Sequence, residues 1–115
     1  MNYKQFAINL AKKVEGRYRV SALILDKQDR VISYGLNSYE KTHPIQKKYS
    51  KLCNNDNRIY LHAEVASLIK SKNKGYKIYI CRIDNSGNTC LAKPCPICEL
   101  AIKEHGSIKI IEYTI

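Results

Sequence analysis

A length of 115 residues with 44% hydrophobic content suits one domain with a single core and excludes a disordered chain. The formal charge of +10, from 20 Lys and Arg against 10 Asp and Glu, favours polyanionic partners such as nucleotides or nucleic acid. Five cysteines, an odd number with two of them in a Cys-x-x-Cys, fit metal or redox chemistry in a reducing compartment better than a secreted disulfide framework.

The chain opens with Phe6, Ala7, Leu10, Ala11 and Val14 at helical spacing, Lys12 and Lys13 on the other side, and a stop near Gly16. This start has no apolar signal-peptide region, and the mainly apolar stretches, Val20 to Leu25 and, broken by Lys109, Ile108 to Ile111, are too short to cross a bilayer. The expectation is therefore a soluble, cytoplasmic protein with no membrane partner. Val20 to Leu25, the turn Asp26-Lys27-Gln28-Asp29-Arg30 and Val31 to Leu36 predict an antiparallel hairpin whose first strand is buried. From Asn37 to Tyr60 the periodicity is lost in a polar, basic segment containing Pro44, which reads as a long binding loop or lid.

Helical spacing returns over Leu61 to Ser71, with Ala63, Ala66 and Ile69 on the inner face, and Gly75 closes the following turn. Lys77 to Ile83 alternates as a strand, and Asp84-Asn85-Ser86-Gly87-Asn88 is a strong turn. Pro94 and Pro96 sit where a helix can begin; that helix runs through Cys98 to His105 and stops at Gly106. Ser107 to Tyr113 is a last strand. The order α-β-β-α-β-α-β predicts a mixed sheet with helices on its faces.

Two short stretches carry the chemistry: His62-Ala63-Glu64 and Pro94-Cys95-Pro96-Ile97-Cys98. Both fall at predicted helix N-termini, where exposed N–H groups and the positive dipole end favour thiolate over thiol. Cys95 and Cys98, three apart, share a helical face and can grip one ion. With His62 they make three zinc ligands, and a three-ligand site leaves the fourth position open for chemistry. Glu64 projects from the same first turn as His62 in another direction, beside the metal without binding it, where a carboxylate can move a proton from water to a leaving group.

His-x-Glu followed by Pro-Cys-x-x-Cys resembles the signature of the zinc-dependent cytidine and deoxycytidylate deaminase superfamily. The resemblance covers the chain from the hairpin to Tyr113. It implies an α/β fold with a three-layer α/β/α architecture; the expected mixed sheet has about four strands and is truncated after the fourth strand, where typical members continue into a fifth. It implies Zn2+ held by His62, Cys95 and Cys98, with Glu64 as catalytic proton shuttle in the hydrolytic deamination of a cytosine base. By the same resemblance Asn37, in Gly35-Leu36-Asn37, bonds a sugar hydroxyl of the substrate, and Ala63 and Pro94 inside the motifs are substrate-binding positions. The run from Asn37 to Pro44 looks like stretches of small phage and bacterial deaminase-like proteins, and His43 within it is a candidate to stack on or bond a base or sugar; a phage origin would place the protein in the host cytoplasm. The chain departs from subfamily patterns at Val65, Ala66 and Ser67, where an Asn is common, and at Lys93, where transfer-RNA adenosine deaminases carry Glu.

Other readings of the same residues stay open at this stage. Cys95-x-x-Cys98 alone could be a redox pair, and Cys90, Cys53 or His105 could close a structural zinc site with a fourth ligand. Lys41, Lys47, Lys48 and Lys51 could hold a phosphate, which favours a mononucleotide substrate. The net charge and Tyr39, Tyr49 and Tyr60 leave single-stranded DNA or RNA as a second substrate class, and a non-catalytic zinc-stabilised binding module as a third reading. An open sheet edge leads to the expectation of a homo-oligomer.

Overall fold

The computed structural model describes residues 2–54, 60–72 and 74–115. Its centre is the continuous apolar run found in the sequence: strand β1 (Arg19–Leu25) is buried over its last five residues. Both neighbours pair with it antiparallel, β2 (Val31–Leu36) on one side and β3 (Lys77–Ile83) on the other. The far edge of β3 is shared. Its start pairs in parallel with β5 (Ile110–Tyr113), and its end pairs antiparallel with a two-residue strand, β4 (Thr89–Cys90). Thr114 joins the two segments on that edge, because its Oγ1 accepts from the Arg82 N–H at 3.2 Å and donates to the Cys90 carbonyl at 2.7 Å. The sheet is mixed, as expected, and has five strands because the short Thr89–Cys90 pairing adds one.

Side-chain alternation assigns the two faces. Leu23, Leu25, Tyr79, Cys81 and Ile83 meet Ala7, Leu10 and Ala11 of helix α1 (Tyr3–Ala11), whose first turn is capped by Asn2. Ala22, Ile24, Ile78 and Ile80 point the other way, onto Val65 and Leu68 of helix α3 (Ala63–Ser71) and Ile97, Ala101 and Ile102 of helix α4 (Pro96–His105). The result is three layers, α/β/α. Gly35 lets α3 come against β2: a Cβ there would lie 2.6 Å from the Ser67 nitrogen and nearer still to the Ala63 carbonyl oxygen. That close approach fixes the start of α3 over the sheet.

One sequence expectation is corrected. The segment read as a loop from Asn37 to Tyr60 contains helix α2 (Pro44–Leu52); residues 55–59 of it lie outside the described residues. Pro44 occupies the first turn, where its missing N–H costs nothing, and the His43 ring nitrogen Nδ1 accepts from the Ile45 N–H at 3.1 Å as a cap. The inward face is Gln46, Tyr49 and Ser50, so helical spacing exists but is written in polar residues. Among the described residues no helix is long and apolar enough to cross a membrane.

Candidate active site

The cleft forms where the N-termini of α3 and α4 meet the ends of β1 and β3. Its volume is about 430 Å³, within the range of small-molecule sites. Strand residues Val20, Ile80 and Arg82 make the floor, and Leu61, His62, Ala63 and Glu64 enter from the start of α3. Leu91, Ala92, Lys93 and Cys95 enter from the approach to α4, while Tyr18, Asn37, Ser38, Tyr39 and Tyr60 wall the mouth.

His62 and Cys95 are the N-cap residues of α3 and α4, both in extended backbone, and neither side chain caps its own helix. Both side chains turn inward. His62 Nδ1 lies 3.2 Å from Cys98 Sγ and 3.6 Å from Cys95 Sγ. The three donor atoms fall within 4.8 Å of one another. With zinc–nitrogen and zinc–sulfur bonds of about 2.0 and 2.3 Å, tetrahedral ligand atoms stand about 3.5 Å apart, so the observed spacings fit a zinc ion. The two thiols also share their protons unequally. A hydrogen bond from Cys98 holds Cys95 down to about 3 against the effect of burial, and the same bond together with burial pushes Cys98 well up. A divalent cation among these donors favours thiolate at both.

The residues weighed as a fourth ligand lie elsewhere. His105 is at the far end of α4, its ring nitrogens 2.9 Å from Ser71 Oγ and 2.8 Å from Ser107 Oγ. Cys90 Sγ faces the Arg82 carbonyl at 3.7 Å, and Cys53 packs against the core beside the helices. Among the described residues the group placed to hold a metal therefore has three members, His62, Cys95 and Cys98.

Glu64 is 7% exposed and lines the cleft next to that group. Burial raises its carboxyl above the usual carboxylate range; the neighbouring His62 and a hydrogen bond with Cys98 partly oppose the rise. A carboxyl so placed holds and releases a proton closer to neutral pH.

The substrate-binding expectations fall differently. Ala63 lines the cleft, and so does Asn37. The Asn37 amide is also a strut: Oδ1 accepts from the Val20 N–H at 2.8 Å and Nδ2 donates to the Tyr18 carbonyl at 3.0 Å. Those bonds use one of its two donors and one lone pair. His43 caps α2, and Pro94 is buried at the approach to α4; neither is among the cleft-lining residues. Lys41, Lys47, Lys48 and Lys51 are not among them either. Of the loop tyrosines, Tyr39 and Tyr60 line the cleft, whereas Tyr49 is buried in α2.

Two contributors escape sequence reasoning. Gln46 of α2 is fully buried, and its Oε1 accepts from the His62 backbone N–H at 3.1 Å, bracing the residue that starts α3. Arg82 reaches the cleft because it continues the row Ile78, Ile80 on the α3 and α4 side of β3, a placement that needs the sheet register to be seen.

Comparison with known proteins agrees with this arrangement. Residues 1–114 match the family described as the cytidine and deoxycytidylate deaminase zinc-binding region. The fold is similar to the crystal structure of cytidine deaminase from Mycobacterium tuberculosis, at 21% identity and a TM-score of 0.52, covering 90% of this chain and 76% of that one. A glutamate-to-glutamine mutant of that enzyme aligns at 21% identity with a TM-score of 0.53, covering 96% and 84% of the two chains. No curated protein matches the sequence.

Proposed function

Because the chain belongs to the cytidine and deoxycytidylate deaminase zinc-binding family, we propose that it hydrolyses the exocyclic amine from the cytosine base of a nucleoside or nucleotide. The observation that carries this reading is one arrangement: His62, Cys95 and Cys98 have their donor atoms within 4.8 Å, and buried Glu64 stands beside them in the same cleft. Zinc held by His62, Cys95 and Cys98 supplies the Lewis acidity that makes a water nucleophilic at neutral pH.

The chain's own groups do the rest. The apolar surface of Val20, Ile80 and Ala63 offers a place for the flat face of a base. Glu64 accepts the proton that water gives up as its oxygen bonds to the ring carbon bearing the amine. It then returns a proton to the amine nitrogen, so that the carbon–nitrogen bond breaks and ammonia leaves. The raised proton affinity of Glu64 suits a group that must both take and give at neutral pH. Asn37, with one amide hydrogen and one lone pair left over from its two backbone bonds, takes a sugar hydroxyl. At the edge of the sheet, exposed Val31, Ile32 and Tyr34 on β2 support self-association.

The test is ammonia release from cytidine, deoxycytidine, deoxycytidylate and a single-stranded oligonucleotide, with X-ray absorption at the zinc edge. Turnover of at least one free cytosine compound, with two sulfur and two light ligands on zinc, is the expected result. Exclusive turnover of the oligonucleotide would move the substrate to a strand. No turnover with a fourth protein ligand on zinc would make the domain a structural zinc module.

A further inference from the structure

Resting on that reading, we propose that Arg82 and Lys93 form a subsite for the 5′-phosphate of the substrate, so that the preferred substrate is a cytosine nucleoside monophosphate. The argument starts from the row of side chains on β3. Ile78 and Ile80 are apolar and buried under α3 and α4, and the next residue on the same face, Arg82, is half-buried and lines the cleft. An arginine at the end of an apolar row, facing a cleft, is placed to meet an anion there. Among the described residues no carboxylate forms an ion pair with Arg82 or Lys93.

The guanidinium is held in place without an acid. It stacks over the Tyr18 ring at 4.6 Å from the centroid. Tyr18 is fixed in turn, because its carbonyl accepts from the Tyr39 hydroxyl at 2.7 Å and from Asn37 Nδ2 at 3.0 Å. Stacking leaves the guanidinium's edge donors available for the paired, planar contact that this group makes with phosphate. Lys93 adds a flexible point charge from the other wall, on the approach to α4.

Position agrees with chemistry. Val20 pairs with Arg82 across the sheet, and the Val20 N–H is the one bonded by Asn37. Asn37 and Arg82 therefore stand in one row, two strand spacings or about 10 Å apart between backbones. A sugar at Asn37 places its 5′ substituent within reach of the Arg82 side chain, with the base toward Glu64. The lysines of the segment after Asn37 do not line the cleft, so among the described residues the Lys and Arg side chains within it are Arg82 and Lys93. A phosphate monoester carries about −1.5 to −2 at neutral pH, matching that pair, whereas a strand's diester carries less charge per phosphate and asks for a longer basic path.

The experiment compares zinc-loaded wild type with Arg82→Gln, Arg82→Lys and Lys93→Gln on deoxycytidine, deoxycytidylate and a single-stranded oligonucleotide. Thermal melts show that each variant is folded. In wild type, kcat/KM for deoxycytidylate exceeds that for deoxycytidine. Arg82→Gln lowers that preference by about 10- to 100-fold, through KM. Arg82→Lys recovers part of it, and Lys93→Gln lowers it by up to about 5-fold. Inorganic phosphate competes with deoxycytidylate in wild type and competes less in Arg82→Gln. Equal efficiency on nucleoside and nucleotide in wild type would overturn the proposal. So would equal loss on both in Arg82→Gln, which would mark a structural role, or a preference for the oligonucleotide that Arg82→Gln abolishes. Calorimetric binding of deoxycytidylate, weakened by Arg82→Gln, supports the subsite even if no cytosine compound is turned over. Absence of turnover would then refute the deamination reading alone.

Discussion

Replacing Gln46 by methionine removes the acceptor oxygen and the N–H donors of a fully buried amide on α2 with little change of volume. The donor left behind is the His62 backbone N–H, 3.1 Å from Gln46 Oε1. An unsatisfied donor of this kind costs about 1–3 kcal/mol. If the whole loss is expressed at the ligand-bearing residue, zinc affinity falls by about 5- to 150-fold. If it is expressed in the fold instead, the melting temperature of the metal-free protein falls by about 4–12 °C. Because the bond bears on the backbone of His62 itself, an effect on zinc is expected beyond any effect on the fold: weaker binding in competition with a chromogenic chelator, measured beside the metal-free melting temperature. A large drop in metal-free stability with unchanged zinc affinity would refute the assignment and make Gln46 a packing residue.

Other substitutions probe the site from different sides. Chelation of zinc from wild type should lower the melting temperature by about 15 °C, since saturation at about 1,000 times Kd contributes about 4 kcal/mol. Cys98→Ser should melt at the same temperature with and without chelator, and a chelator effect of wild-type size in that variant would remove Cys98 from the ligand set. Gly35→Ala puts a methyl 2.7 Å from the Ala66 Cβ and 2.6 Å from the Ser67 nitrogen. It should cost about 1–3 kcal/mol and displace the start of α3, so that denaturant melts and zinc affinity change together; a neutral effect on both would show that the helix can back away freely. Burial lowers the His105 imidazole below its usual value. A His whose folded value lies below the unfolded one binds fewer protons when folded, so stability is full above about pH 6.5 and declines as pH falls through that value. His105→Gln should flatten that limb in melts from pH 5 to 7.5, and an unchanged slope would assign it to another group.

The residues of the candidate site were legible as a cluster because the two motifs are written in residue types and short spacings. Two cysteines three apart, and a histidine two residues before a glutamate, keep their relation in any helix start. Burial on both faces of β1 could be read from Val20 to Leu25, and the left-handed stop at Gly106, with φ of 84°, from glycine after a helical run. Helix α2 was hidden because Gln46, Tyr49 and Ser50 bury polar atoms where the periodicity argument looks for apolar ones. Arg82 was hidden for another reason: alternation along β3 shows that it faces one side, but only the pairing with Val20 shows which cleft lies there. Asn37 shows a third limit. Its amide makes two bonds to the Tyr18 and Val20 backbone, which no local pattern announces. The loop lysines looked like phosphate ligands by composition, yet Lys47, Lys48 and Lys51 belong to a helix and are not among the cleft-lining residues.

The account turns on a division of labour in which His62, Cys95 and Cys98 hold zinc and Glu64 moves the proton. It is tested most directly by measuring ammonia release from deoxycytidylate by zinc-loaded wild type and Glu64→Ala, with zinc content determined on the same samples. One zinc per chain in both proteins, and a rate lowered by about 10²- to 10⁴-fold or more in the variant, is the predicted result. Undiminished ammonia release by Glu64→Ala at full zinc occupancy would contradict it.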